Sequence, residues 1–134
     1  MGQYLLGIDN GSTVSKAALF DFHGKEIAVA SCKAETEYPH PGWTERDMEI
    51  LWQCTATAIR EVLAKSGVKP EEIAGIGNTG HGNGVYLLDK QGQPLRNGIQ
   101  SMDSRAANVV TDWNQRNLHE QVFPFTIQSF WPAQ

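Results

Sequence analysis

Residues 4–9, Tyr4-Leu5-Leu6-Gly7-Ile8-Asp9, form a short apolar run that ends in a carboxylate and passes straight into Asn10-Gly11-Ser12-Thr13. A run of this length bounded by turn chemistry reads as a strand buried on both faces. Two more runs follow across short turns. Residues 15–22 contain Ala17-Ala18-Leu19-Phe20, and residues 25–31 come after the tight turn Asp21-Phe22-His23-Gly24-Lys25. Three strands joined this closely form an antiparallel meander.

A loop, Tyr38-Pro39-His40-Pro41-Gly42-Trp43, precedes the clearest helical pattern in the chain. Met48, Leu51, Trp52, Thr55, Ile59, Val62 and Leu63 share one face at helical spacing; Asp47 or Thr44 is placed to cap the start, and Gly67 ends it. After Pro70-Glu71-Glu72, residues 73–78 read as a fourth strand. A strand reached through a crossover helix can join the sheet parallel to the first. Residues 85–89 read as a fifth strand closed by Lys90-Gln91-Gly92-Gln93, and residues 98–102 as a short sixth. Residues 105–115 suggest a second helix with Ala106, Val109, Val110 and Trp113 inward, and residues 123–134 show no closing element. The class is α/β: a three-strand meander, then a helix and further strands, with a five-stranded sheet expected.

Composition excludes several functions. A length of 134 residues suits about one domain, and a net charge of -4 without a Lys/Arg stripe argues against a nucleic-acid surface. No apolar run approaches a membrane span, no basic-then-apolar leader begins the chain, and Leu6 breaks the myristoylation pattern after Gly2. A cytoplasmic protein is expected. Asn10-Gly11-Ser12 is then a chance glycosylation sequon. Cys32 and Cys54 could pair, but two core thiols in a reducing cytosol are the expectation. The four histidines lack metal-ligand spacing.

The chemistry concentrates in residues 7–16. Phosphate binding needs backbone N–H groups pointed into one concavity, and Gly11 lets the chain turn tightly enough to supply them. Ser12 and Thr13 add hydroxyl donors, Lys16 adds positive charge, and Asp9 can hold Mg²⁺ directly or through water. The competing reading is a plain hairpin turn, since Asp-Asn-Gly-Ser is also ordinary turn chemistry. No Gly-x-x-x-x-Gly-Lys-Ser/Thr loop occurs. Gly75-Ile76-Gly77-Asn78-Thr79-Gly80 matches a dinucleotide fingerprint, but its glycines lie within a strand and Gly82 and Gly84 follow, which discourages the required helix.

Four segments together are similar to the N-terminal part of the FGGY carbohydrate kinases, the family of xylulose, ribulose, gluconate and glycerol kinases. They are residues 7–13, then Pro41-Gly42-Trp43-Thr44-Glu45-Arg46-Asp47, then residues 76–84, then Ser101-Met102-Asp103-Ser104-Arg105-Ala106. The resemblance runs from Gly7 to about Trp131 and covers only the first part of a family member. It implies a ribonuclease-H-like domain of the actin and hexokinase superfamily, incomplete within residues 1–134, and the full-length protein is expected as a homodimer. It puts Mg²⁺ at Asp9 and the ATP phosphates at Asn10, Gly11, Ser12, Thr13 and Lys16. It puts a sugar or polyol at His81, Gly82, Asn83, Ser101 and Asp103, with Arg105 in the same motif. It implies a catalytic base and an adenine pocket beyond Gln134, so these 134 residues alone are expected to show no turnover.

Departures narrow the substrate. Glycerol kinases resemble Arg-Glu where this chain has Gly82-Asn83, and Trp where it has Ser101; xylulose kinases resemble Met-His at the first two positions. A pentulose such as xylulose or L-xylulose is favoured, with glycerol, ribulose, erythritol or gluconate as alternatives. A non-catalytic sugar- or nucleotide-binding module of the same fold is the competing class. Trp43, Trp52, Trp113 and Trp131 read as packing residues. His81, glycine-flanked, is suited to donate to a sugar hydroxyl.

Overall fold

The computed structural model describes residues 2–132. In chain order it contains β1 (Tyr4–Asn10), β2 (Val14–Asp21), β3 (Glu26–Lys33), β4 (Glu45–Arg46), α1 (Met48–Ser66), β5 (Ile73–Gly80), β6 (Gly98–Ile99), α2 (Ala107–Gln115) and α3 (Leu118–Thr126). The chain divides into two compact units: Met1–Glu35 with Asp47–His81, and Thr36–Arg46 with Gly82–Gln134.

The first unit is a four-stranded sheet in the order β3-β2-β1-β5. β1 pairs antiparallel with β2 and β2 with β3, while β5 lies parallel to β1, as the crossover through α1 leads one to expect. Strand alternation decides which side is buried. Leu6, Ala17, Leu19 and Ala30 turn to one face and meet Ala58 and Val62 of α1. Asp47 caps α1, its Oδ1 accepting from the N–H groups of Glu49 (2.7 Å) and Ile50 (3.0 Å). Gly67, at φ +69°, ends it by donating to the Leu63 carbonyl. The buried stripe of α1 is Cys54, Thr55, Ala58 and Val62. Trp52, expected inward, is 65% exposed, because it sits about 100° around the helix from Leu51 and off that stripe.

The pairing of cysteines corrects the expectation of two free thiols. Cys32 lies on the face of β3 that α1 covers, its Cα is 5.3 Å from that of Cys54, and the two form a disulfide. That separation is within disulfide reach.

In the second unit β4 pairs antiparallel with β6. The sheet expected to have five strands has four, because residues 85–89 make only isolated bridges, Val85 to Ile99 and Leu88 to Pro94. Asp89 closes a tight turn there, accepting from the N–H groups of Gln91 and Gln93, and Pro94 has no N–H to extend the ladder. The expected strand at 98–102 stops at Ile99, where the chain turns through an Asp103 N–H to Gln100 carbonyl bond of 3.0 Å. α2 forms within the expected range, but buries none of its residues; Val109 is 47% and Trp113 39% exposed. α3 runs four residues into the segment 123–134 expected to show no closing element, with Pro124 inside it; residues 127–132 carry none, and residues 133–134 lie outside the described residues. Trp131 is exposed, and its indole N–H donates to the Ser101 carbonyl.

Candidate functional site

Register places the first group of site residues. Asp9 lies directly across from Lys16 on β2 and from Thr79 on β5. By alternation all three project from the face opposite α1, where they line an open groove of about 610 Å³ with Gly7, Glu26 and Asn78. Asp9, Ser12, Thr13 and Lys16 are exposed. The bend after β1 is tight: a Cβ on Gly11 would stand 3.2 Å from the Val14 carbonyl oxygen, to which the Gly11 N–H already donates. The donor set suits a magnesium-bound phosphate: the carboxylates of Asp9 and Glu26 and the ammonium of Lys16 line the groove, and the exposed hydroxyls of Ser12 and Thr13 stand on the bend next to Asp9. No cluster of three or more His, Cys, Asp or Glu occurs among the described residues. Any divalent ion here would therefore take most of its ligands from water and phosphate, as Mg²⁺ does.

Asn10 has a different part. Its side chain turns toward α1, where Oδ1 accepts from the Thr55 hydroxyl at 2.8 Å; its backbone carbonyl accepts from the His81 N–H at 3.1 Å. The Ser15 hydroxyl, fully buried, lies 3.5 Å from that of Thr55. On the other side of the bend, the Ala34 N–H donates to the Thr13 carbonyl at 3.2 Å. The bend is thus held from α1 at one end and from the residue directly after β3 at the other. Thr55 was counted in the sequence only as one more residue of an apolar helix face; a hydroxyl within such a face was the available signal.

The second group belongs to the second unit. Residues 41–46 and 101–106 meet there. Asp103, 2% exposed, accepts four hydrogen bonds: Thr44 N–H (2.8 Å) and Arg105 Nη2 (2.8 Å) on Oδ2, Arg105 N–H (2.9 Å) and Nε (2.8 Å) on Oδ1. Burial alone would raise the Asp103 pKa, but the Arg105 side chain and the N–H groups of Arg105 and Thr44 outweigh it and hold the carboxyl below the ordinary aspartate range. Arg105 Nη2 also donates to Glu45 at 2.7 Å, and its guanidinium stacks 3.8 Å over Trp43. Arg96 pairs with the same Glu45 oxygen. Burial lowers the pKa of the fully buried Arg46 and raises that of the Tyr86 phenol, and the Arg46 charge partly offsets the rise at Tyr86. Sequence reasoning passed over Glu45 and Trp43 as bearers of this network.

Of the expected sugar-site residues, His81 lies in the first unit, tied to Asn10; Gly82, Asn83, Ser101 and Asp103 lie in the second. Ser101 is half-buried. Asn83 adopts a left-handed conformation at φ +58°. Gly82 does not, and no atom lies within 4 Å of where its Cβ would be. Nothing in the backbone calls for glycine there.

A meander, a crossover helix and a parallel strand, with a carboxylate and a glycine bend at the end of the first strand, define a ribonuclease-H-like domain of the actin and hexokinase class. The sequence profile of the N-terminal domain of the FGGY family of carbohydrate kinases matches residues 4–134, and the chain belongs to that family. It is 44% identical over 131 residues to the L-xylulose/3-keto-L-gulonate kinase of Escherichia coli (strain K12), covering 98% of this chain and 26% of that protein. It is 42% identical over 128 residues to a probable L-xylulose kinase of Pasteurella multocida (strain Pm70), covering 96% and 26%. The crystal structure of gluconate kinase from Lactobacillus acidophilus superposes with a TM-score of 0.88 at 25% identity, over 97% of this chain and 26% of that one. The chain thus spans about a quarter of the length of these relatives.

Proposed function

We propose that this chain supplies the phosphate and magnesium grip, and part of the sugar site, of an ATP-dependent kinase that phosphorylates a hydroxyl of a pentulose, L-xylulose being favoured. The observation that carries the reading is the exposed carboxylate of Asp9 beside the glycine bend, with Lys16 and Thr79 in register across the same open face. Asp9 would hold Mg²⁺ through water, Gly11, Ser12 and Thr13 would receive phosphate oxygens, and Lys16 would lower the local negative charge. Bound magnesium supplies neutralisation of the charge on the transferring phosphoryl group. Asn10 keeps the bend in place from the α1 side and leaves phosphate contact to its neighbours. In-line transfer also requires an acceptor for the sugar hydroxyl's proton. The family resemblance puts that base beyond Gln134, so the chain alone is expected to release no ADP.

The sugar preference rests on the identity to the two L-xylulose kinases and on Gly82, whose missing side chain is not demanded by the fold. The space leaves room for a substrate longer than glycerol. Asp103, with four bonds within the protein, serves this site by holding Arg105 and the 42–44 turn. Gluconate is the second reading, because the superposed gluconate kinase shares the fold over almost the whole chain.

Two measurements test this. Titration of the chain with MgATP, followed by amide NMR, is expected to move the signals of residues 9–16 and 79–81; Asp9→Asn should abolish the magnesium-dependent part while leaving the melting temperature in place. Shifts that are the same with and without Mg²⁺ would count against the Asp9 assignment. A coupled ADP-release screen of the kinase across L-xylulose, D-xylulose, ribulose, gluconate, erythritol and glycerol should rank a pentulose first. Glycerol as the best substrate would defeat the sugar assignment.

A further inference from the structure

Two anchors hold the bend at residues 10–14, and each lies beside a half-cystine. Thr55, which donates to Asn10, directly follows Cys54 in α1. Ala34, which donates to Thr13 and is 2% exposed, lies two residues after Cys32. Cys32 itself stands across from Ser15, the buried residue whose hydroxyl approaches Thr55. The Cys32–Cys54 bond therefore ties together the two elements between which the bend is suspended. It does so across a sequence separation of 22 residues.

We propose that Cys32 and Cys54 are a reversible redox latch on the phosphate-binding bend. A low-molecular-weight disulfide closes it and a thiol reductant opens it. The step balances as an exchange. The Cys32 thiolate, on the less buried of the two residues, attacks one sulfur of the small disulfide and expels one small thiolate. The Cys54 thiolate then attacks the Cys32 sulfur, and the second small thiolate leaves. Two electrons pass from the cysteine pair to the small disulfide, and the two cysteine protons end on the released thiols. In the closed form α1 and β3 cannot separate at this point, and residues 10–14 stay clamped from both sides. In the open form the Thr55 to Asn10 and Ala34 to Thr13 bonds can break independently, and the bend opens locally without the rest of the sheet. A reducing compartment would hold the dithiol, and oxidative conditions the clamped form.

The effect on nucleotide rests on the phosphate reading above, so the experiment separates the two. The chain is equilibrated with oxidised glutathione or with dithiothreitol. Thiol mass-tagging should count two free cysteines in the reduced form and none in the oxidised form. Hydrogen exchange at residues 10–16 should slow by about ten-fold on oxidation, with α2 and α3 unchanged. Cys32→Ser should lose that redox response, and the wild-type comparison stands without it should the variant not fold. Two tagged thiols under both conditions, or exchange at residues 10–16 within two-fold between forms, would overturn the latch. MgATP titration of both forms then reads the consequence. A response in exchange with MgATP bound by neither form upholds the latch and removes the phosphate reading instead.

Discussion

Replacing Asp103 by Asn tests whether the carboxylate is a structural keystone of the second unit. The side chains are nearly isosteric, so only charge and acceptor capacity change. The carboxylate accepts four bonds, two on each oxygen, and three of the four come from Arg105. An amide keeps one oxygen and turns an NH2 toward two donors, so two bonds are lost whichever way it sits. Bonds to charged groups contribute roughly 1.5–3 kcal/mol each, and removing one member of a buried ion pair costs about 3–5 kcal/mol. Glu45 remains as an acceptor for Arg105, which places the expected loss at the low end, about 3 kcal/mol. In thermal unfolding that corresponds to roughly 10 °C. Near-ultraviolet circular dichroism, which senses the stacking of Trp43 under Arg105, is the readout. The pH dependence supplies an independent check. The native carboxyl pKa is lowered, so its contribution is present at neutral pH, begins to fade below the ordinary aspartate range and is lost as pH falls through the native value. The gap between wild type and variant should therefore shrink on acidification from about pH 5 to pH 2. A gap under about 1 kcal/mol at pH 7, or one that does not change with pH, would refute the reasoning.

Thr55→Val removes the donor to Asn10 from a site that is 7% exposed; it should cost about 1–2 kcal/mol and speed amide exchange at residues 10–14. Asp47→Ala uncaps α1 and should lower stability by about 1 kcal/mol, read in the helical circular dichroism signal of urea unfolding. Gly42→Ala should cost about 1–2 kcal/mol, measured by the same urea unfolding. Its φ is +78°, and the new Cβ would meet Ser104 Oγ at 2.5 Å, displacing a hydroxyl that bonds the Gly42 carbonyl.

The first unit was legible because its signals are local. Apolar runs of strand length punctuated by Asn10-Gly11 and His23-Gly24 locate β1, β2 and β3 to within two residues. Asp47 and Gly67 bracket α1 with the two end signals a helix needs. In the second unit the same kind of local reading failed. Residues 85–89 carry strand-like side chains, but whether a strand forms depends on a partner, and the partner segment contains Pro94. β4 is two residues long and exists because residues 98–99 come back to it, which no periodicity announces. α3 has no side-chain cap at its start and carries Pro124 near its end, so neither end offers a local helix signal.

The site divides along the same line. Asp9, Lys16 and the glycine bend were readable as neighbours, since one short turn separates them in the chain, while the register of β1 against β2 is what sets Asp9 opposite Lys16. What each residue does there depends on contacts that sequence distance conceals. Asn10 and Thr55 are 45 residues apart, Thr44 and Asp103 are 59 apart. The four segments that carried the family resemblance sort into two pairs in space. Residues 7–13 lie alongside 76–80 in the parallel β1 and β5 pairing, and 42–45 interlock with 100–105 through Gly42, Trp43, Thr44 and Glu45. Asp103 therefore has its carboxylate spent on Arg105 and Thr44, and a residue that looked like a sugar ligand is better suited to fix the shape of a site than to touch what enters it. Its replacement should show in stability and in the geometry around Trp43 before it shows in the choice of sugar.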